Sequence, residues 1–154
     1  MSLAGKTILM SGGSPGIGLA IALRAAAAGA NIALLAKTDT PHPRMEGTVH
    51  TAAERIREAG GNALPIVGDV RNDDDIAAAV AQTLEAFGGI DVVLNNASVI
   101  DLAGTLDLAA KKYDLMQDVN VRGTFMLSRA AIPASPNSAA RPSVVIVMPY
   151  LASV

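Results

Sequence analysis

The chain has 154 residues, of which 51% are hydrophobic and 17% are charged, and its formal net charge is -2. This composition is typical of one globular domain, and the small charge with scattered basic residues excludes a surface built to attract nucleic acid or anionic lipid. Because cysteine is absent, disulfides and thiolate metal sites are excluded, and we expect no bound metal.

The first apolar run of the chain is too short for a signal peptide or a membrane span. It covers only residues 7–10 and ends at Ser11-Gly12-Gly13, whereas a signal peptide needs about 7–15 apolar residues and a membrane helix about 20. We therefore expect a cytoplasmic protein without a membrane partner.

Apolar runs then alternate with helix-forming segments. Strands are predicted at 7–10, 31–36, 62–70, 90–98 and 144–148. Helices are predicted at 17–28, from near His50 to Gly60, from the N-cap Asn72 to about 87, and from about Lys111 to Ala131. Strands that alternate with helices require crossover connections, so the fold class is α/β, with a doubly wound parallel sheet between two helical layers.

A glycine-rich turn, residues 11–18, lies between the first predicted strand and the first predicted helix. Backbone N–H groups and the helix dipole at such a junction bind anions, and phosphate is the natural ligand. Gly12 permits the tight turn, Gly16 lets the backbone approach a diphosphate, and Gly18 lets the helix pack close to the strand. A simple turn without a ligand is the alternative, which the flanking strand and helix make weaker.

Four motifs in order resemble the short-chain dehydrogenase/reductase family. They are Ser-Gly-x-x-x-Gly-x-Gly at 11–18, Asp69-Val70, Asn95-Asn96-Ala97-Ser98, and Asn120 within DVNVRGTF. Residues 36–71, with Ser98 in place of the usual glycine, resemble more narrowly the hydroxysteroid dehydrogenase-like branch of the family. The resemblance implies a Rossmann domain over residues 1–154 that binds a nicotinamide dinucleotide.

The resemblance also implies which residues act. Asn120 corresponds to the catalytic asparagine, which would bind a water in the proton relay. The implied cofactor-binding residues are Ser11, Gly12, Ser14, Pro15, Gly16, Ile17, Gly18, Lys37, Asp69, Val70, Asn96, Ala97, Ser98 and Val119. Relatives act on a carbonyl or alcohol and commonly form homo-oligomers, dimers or tetramers, through the long helix that carries Asn120.

The end of the second strand indicates NADP(H) rather than NAD(H). NAD-specific relatives have an acidic residue there, which would bond to the ribose hydroxyls, but this chain has Ala36 followed by Lys37. A cation at position 37 can pair with the 2′-phosphate of NADP. The alternative is that Lys37 is only a solvated loop charge, because Pro15 stands where NADP-preferring relatives often have arginine.

The Tyr-x-x-x-Lys pair of the family mechanism is missing. Tyr113 is followed at the fourth place by Gln117, and Tyr150 by Val154. The strand-end serine of the family is replaced by Pro149-Tyr150, and we assign no role to His42 or His50. The complete fold of the family has the strand order 3-2-1-4-5-6-7, so a fold that ends after the fifth strand leaves residues 144–148 as an open edge. Either another copy or chain covers this edge, or the sequence is part of a longer protein that carries the missing pair, and we expect the latter.

Three functions remain open at this point. The first is an oxidoreductase that transfers hydride between NADP(H) and a carbonyl or alcohol substrate. The second is a dinucleotide-binding module without catalysis, which the absent Tyr-x-x-x-Lys favours. The third is a chain that only assembles with a complete homologue, which predicts weak cofactor affinity.

Overall fold

A computed structural model describes residues 2–13, 16–41, 47–136 and 141–147 of the chain. In these residues, five strands alternate with helices. The strands are β1 (Thr7–Ser11), β2 (Asn31–Ala36), β3 (Asn62–Val67), β4 (Val92–Asn95) and β5 (Ser143–Ile146). The helices are α1 (Ile17–Ala26), α2 (Val49–Glu58), α3 (Asp73–Phe87), α4 (Ala110–Met116), the π segment (Gln117–Gly123), α5 (Thr124–Ala131) and a 3-10 turn, Ile132–Ala134.

All strand pairs in the sheet are parallel, and the strand order is β3-β2-β1-β4-β5. The order reverses at β1, so that β1 pairs with β2 on one side and with β4 on the other. This arrangement is the doubly wound Rossmann fold, and it confirms the predicted fold class and the predicted order of these five strands. The point of reversal creates a crevice at the carboxyl ends of the strands, which is where open α/β sheets bind ligands.

Each face of the sheet carries its own apolar core. On one face α1 and α2 pack against the strands through residues such as Leu19, Ile32 and Ile56. On the other face α3 and α5 pack through residues such as Ile76 and Leu127. Because both faces are covered, the strands read as continuous apolar runs rather than as an alternation of apolar and polar residues. In the described part of the chain, no helix is long and apolar enough to cross a membrane.

Several predicted boundaries shift in the structure. β2 has the predicted bounds, whereas β3 and β4 end at Val67 and Asn95, three residues earlier than predicted, because the chain leaves the sheet there to form the crevice. The predicted first helix ends at Ala26 rather than Ala28. The fifth strand begins one residue early, and Met148, its predicted last residue, lies outside the described residues.

The long helix predicted from Lys111 to Ala131 is not uniformly α-helical, which corrects that prediction. It begins at Ala110 and ends at Ala131, but the π segment interrupts it between α4 and α5. A π segment holds one extra residue in a turn and is often found at functional sites. This interruption carries Asn120 and Val119, two of the predicted site residues.

The predicted N-cap of α3 is confirmed. The Asn72 side chain accepts hydrogen bonds from the N–H groups of Asp74 (2.9 Å) and Asp75 (3.4 Å). Asp73, Asp74 and Asp75 occupy the first turn of the helix, where their negative charges face the positive end of the helix dipole.

The two edges of the described sheet differ. β3 carries Pro65, and proline in an edge strand discourages further pairing. β5 pairs with β4 and exposes 42%, 41% and 53% of Val144, Val145 and Ile146. Such an apolar edge is a strong site for pairing with another strand, as the sequence predicts.

Asp91 ties the start of β1 to the segment before β4. Its carboxylate accepts hydrogen bonds from Lys6 Nζ (2.8 Å) and from the Thr7 N–H (2.9 Å). Burial alone would raise the pKa of Asp91, but these two hydrogen bonds and the Lys6 charge together lower it. Because the pKa is lower in the folded state, Asp91 stabilises the protein above its ordinary pKa, and this contribution is lost as pH falls through the folded-state pKa.

We therefore expect Asp91→Asn to lower the free energy of unfolding near neutral pH by about 1–2 kcal/mol. Urea denaturation measures this difference, and the difference should shrink as pH falls below about 4, the ordinary range of Asp. Asp114→Asn on exposed α4 makes the same charge change and should have little effect. Equal effects of the two variants would contradict a specific role for Asp91.

Candidate functional site

A cleft of about 490 Å³ opens at the carboxyl ends of β1, β2, β3 and β4, where the strand order reverses. Its lining residues come from the segments that follow these strands and from the π segment. They are Gly12, Gly13, Ile17, Leu35, Ala36, Lys37, Thr38, Gly68, Asp69, Val70, Asn96, Ala97, Ser98, Val99 and Val119.

Most of the predicted cofactor-binding residues line this cleft. Ser11, Gly16, Gly18 and Asn120 are not among its lining residues, and Ser14 and Pro15 lie outside the described residues. Sequence reasoning missed the lining residues Gly13, Leu35, Thr38, Gly68 and Val99. Each lies within two positions of a residue that was predicted, so proximity to the strand ends is the signal that could have found them.

The remaining tyrosine and histidine candidates either do not line the cleft or lie outside the described residues. Tyr113 is exposed on α4. His50 lies on α2, and its Nε2 is 2.7 Å from Oδ1 of Asp39. His42 and Tyr150 lie outside the described residues.

Gly12 forms the floor of the glycine-rich turn. Its φ of 67° lies in the left-handed region that favours glycine. A Cβ atom at this position would lie 2.9 Å from Cα of Ala97. The Gly12 carbonyl accepts a hydrogen bond of 2.7 Å from Nδ2 of Asn96. The turn is therefore held directly against the segment that follows β4.

Gly18 brings α1 close to the same two residues. A Cβ atom at position 18 would lie 2.5 Å from the Gly12 carbonyl oxygen and 2.5 Å from Nδ2 of Asn96. No side chain fits there without movement of the turn. Glycine at this position thus lets the first turn of α1 sit directly on β1 and on the Asn96 side chain.

The amino end of α1 offers unused N–H groups to the cleft. The first backbone bond within the helix runs from the Ala20 N–H to the Gly16 carbonyl, so the N–H groups of Ile17, Gly18 and Leu19 do not bond within the helix. Among the described residues no side chain caps this end, and the first turn of the helix has no acidic residue. A diphosphate fits this donor set, because the N–H groups and the helix dipole both favour an anion.

Ser11 joins β1 to the Asn-Asn-Ala-Ser segment from beneath the turn. Its hydroxyl accepts hydrogen bonds from the N–H groups of Asn96 (3.3 Å) and Ala97 (3.2 Å). The two asparagines of the motif point in different directions. Asn95 is buried and donates to the Ser128 hydroxyl of α5 at 3.0 Å, whereas Asn96 faces the cleft and Gly12.

Charged side chains gather at the other end of the cleft, after β2 and β3. Nζ of Lys37 lies 3.8 Å from Oδ2 of Asp69, and 63% of the Lys37 side chain is exposed. Nη2 of Arg71 donates to the same oxygen at 2.6 Å. The hydrogen bond from Arg71 lowers the pKa of Asp69 against the opposing effect of burial, with a further contribution from Lys37. Asp69 is therefore an anion over the neutral pH range.

Asn120 uses both groups of its side-chain amide to hold one residue of the cleft wall. Nδ2 donates to the Val99 carbonyl at 2.9 Å, and Oδ1 accepts from the Val99 N–H at 2.9 Å. The neighbouring Val119 is buried and reaches the cleft. The π segment thus fixes the segment after β4, which also contacts the glycine-rich turn through Asn96.

Comparisons with known proteins agree with this geometry. The sequence model of the family described as short chain dehydrogenase matches residues 6–149. Hydroxysteroid dehydrogenase-like protein 2 of Homo sapiens and that of Mus musculus are 54% and 55% identical to this chain over 131 residues. These alignments cover 85% of this chain but 31% and 27% of the two proteins, so the chain spans about a third of the length of such relatives.

Solved structures show the same fold. The crystal structure of a short chain dehydrogenase from Mycobacterium thermoresistibile has a TM-score of 0.90 and 52% identity, covering 99% of this chain and 54% of that one. An NADH-dependent reductase, A1-R′, complexed with NAD has a TM-score of 0.78 and 30% identity, covering 94% of this chain and 59% of that one. The residues that the family model matches include the glycine-rich turn, Asp69-Val70 and the Asn-Asn-Ala-Ser segment. The chain therefore belongs to the short-chain dehydrogenase family.

Proposed function

We propose that residues 1–154 form the dinucleotide-binding domain of an oxidoreductase that transfers hydride between NADP(H) and a carbonyl or alcohol substrate. The observation that carries this proposal is the amino end of α1, where N–H groups unused within the helix face a cleft and Gly12 and Gly18 allow close contact with Asn96. A bound nicotinamide dinucleotide would supply the atom that donates or accepts the hydride.

The residues of the cleft have separate roles in this proposal. The N–H groups of Ile17 and Gly18 would hold the diphosphate at the helix end. Asp69 and Val70 would contact the adenine ring, while Asn96, Ala97, Ser98 and Val119 would form the wall along the dinucleotide. The sequence also assigns Ser14 and Pro15 to the cofactor site, and both lie outside the described residues.

We place Asn120 beside the proton relay of the whole enzyme. Its amide donates once and accepts once, in both cases to Val99, so we propose that its main-chain oxygen holds the relay water. The amide then has a different task, which is to keep Val99 and the cleft wall in position.

The preference for NADP(H) rests on the charges at the end of β2. Ala36 offers no acceptor to a ribose hydroxyl and no repulsion to a phosphate, and the Lys37 ammonium at the cleft mouth is largely exposed. Arg71 offsets the negative charge of Asp69 nearby. These charges favour a 2′-phosphate, although A1-R′, which is similar in structure, is described as NADH-dependent.

We further propose that the protein is a homo-oligomer. The long helix exposes Tyr113, Val121 and Phe125 by 51%, 59% and 62%. Large apolar side chains exposed along one helix are typical of an interface. A second copy packed on this helix would remove them from water.

Calorimetric titration of the 154-residue chain with NADPH and then NADH tests the proposed function, because it measures binding rather than turnover. We expect binding of NADPH in the micromolar range, with a negative heat-capacity change as apolar surface is buried, and at least tenfold weaker binding of NADH. Failure to bind either dinucleotide would contradict the proposed role of the cleft.

A further inference from the structure

Arg71 makes an unusually complete set of bonds to Asp69. Its backbone N–H donates to Oδ1 at 3.0 Å, its Nε lies 3.1 Å and 3.0 Å from Oδ1 and Oδ2, and its Nη2 donates to Oδ2 at 2.6 Å. A two-pronged bond between guanidinium and carboxylate fixes the plane of the carboxylate as well as its charge. The Asp69 side chain is only 20% exposed, so this geometry is partly shielded from water.

A second arginine fixes the backbone of Arg71. Nη1 of Arg122 donates to the Arg71 carbonyl at 3.1 Å, and Nη2 of Arg122 bonds to both carboxylate oxygens of Asp73 at 2.9 Å. Arg122 belongs to the π segment, and the adjacent Gly123 leaves no space for a Cβ atom, which would lie 2.9 Å from Cγ2 of Val70. The loop after β3 is thus held against the long helix.

We propose that Arg71 is a positioning residue for adenine recognition, because it fixes the orientation of the Asp69 carboxylate at one end of the cleft. This inference rests on the proposed function, in which the adenine ring lies beside Asp69 and Val70. The three donor groups of Arg71 occupy most of the roughly four lone-pair sites of a carboxylate. The remaining site has a defined direction and accepts from a donor that enters the cleft.

The 6-amino group of adenine is such a donor. Hypoxanthine has a carbonyl oxygen at the same place, which would face the carboxylate as a second acceptor. A site built to bond to a polar group discriminates against an analogue that cannot make the bond. A carboxylate that is free to rotate can turn away from the hypoxanthine oxygen. The Asp69 carboxylate therefore distinguishes adenine from hypoxanthine only because Arg71 holds it in one orientation.

The test compares the affinities of NADPH and of its hypoxanthine analogue for the wild-type chain and for Arg71→Met. Methionine removes the guanidinium but keeps much of the side-chain stem. We expect the ratio of the two affinities to fall about tenfold, which corresponds to the loss of one hydrogen bond to a charged group. Arg55→Met, on exposed α2, makes the same charge change and should leave the ratio unchanged.

An unchanged ratio in a folded Arg71→Met chain would overturn the inference, even if both dinucleotides bound more weakly, because a general loss of positive charge does not separate adenine from hypoxanthine. If Arg71→Met does not fold, Arg71→Lys takes its place. Lysine keeps the charge without the planar fork, so the ratio should fall there too, and an unchanged ratio again overturns the inference.

The outcome for the wild-type chain separates this inference from the proposed function. Binding of neither dinucleotide would contradict the proposed function. Tight binding of both with equal affinity would leave the dinucleotide site in place and overturn only the role of Asp69 and Arg71 in recognising adenine.

Discussion

Gly18→Ala is expected to weaken NADPH binding about 100-fold. The added Cβ atom would lie 2.5 Å from both the Gly12 carbonyl oxygen and Nδ2 of Asn96, so either the turn or α1 must move. A displacement of about 1 Å in a positioned site can cost about 10²-fold. The 2.7 Å bond between Asn96 and Gly12 would be strained or broken by the same movement. Titration calorimetry measures the affinity.

Gly18→Ala should weaken NADPH binding without unfolding the chain. Overpacking by one methyl group costs about 1–3 kcal/mol, which denaturation will show, but the chain should remain folded because the two apolar cores are unchanged. Gly104→Ala is the matched control, since its Cβ atom would meet only Oδ2 of Asp107, at 3.6 Å. Wild-type affinity in Gly18→Ala would contradict the proposed diphosphate position.

Lys37→Met is expected to weaken NADPH binding about tenfold and to change NADH binding little. The Lys37 ammonium is proposed to pair with the 2′-phosphate, which NADH lacks. A hydrogen bond to a charged group contributes about 1.5–3 kcal/mol, and the 63% exposure of the side chain reduces this through solvent screening. Titrations of both dinucleotides at low and moderate salt measure the effect, which should be smaller at the higher salt concentration.

The control for Lys37→Met is Lys111→Met, on exposed α4, which removes the same charge away from the cleft. A parallel loss of NADPH and NADH affinity in Lys37→Met would show that Lys37 does not distinguish the two. In that case the alternative, a solvated loop charge, would be the better description of this residue.

Buried strands were the easiest elements to predict. β2 has the predicted bounds, Asn31–Ala36, because both of its faces are covered and its apolar run ends where the chain leaves the core. β3 and β4 were predicted too long, since Gly68 and the residues after Asn95 continue an apolar or motif-like run in the sequence. The residue at which a strand leaves its sheet depends on where the neighbouring strands move apart. The sequence of the strand itself does not contain this information.

The contacts that shape the cleft were less predictable than the residues that line it. The family resemblance identifies Asn96, but its bond to the Gly12 carbonyl joins residues 84 positions apart and follows only from the pairing of β1 with β4. The pairing of Asp69 with Arg71 spans two positions in a loop, where no helical or strand periodicity marks a side-chain pair.

The π segment could not be predicted, because the composition of residues 110–131 does not mark the position of one additional residue. Its structural consequence is angular. One residue of an α-helix corresponds to about 100° of rotation, so the number of residues in the π segment sets which side of α5 faces the sheet. The phase of α5 turns Leu127 and Ala131 toward the sheet and Phe125 toward solvent. A deletion of one residue between Gln117 and Gly123, with α4 kept in place, would therefore turn the apolar side of α5 by about 100° away from the sheet, so the length of this segment is as constrained as the identity of its side chains.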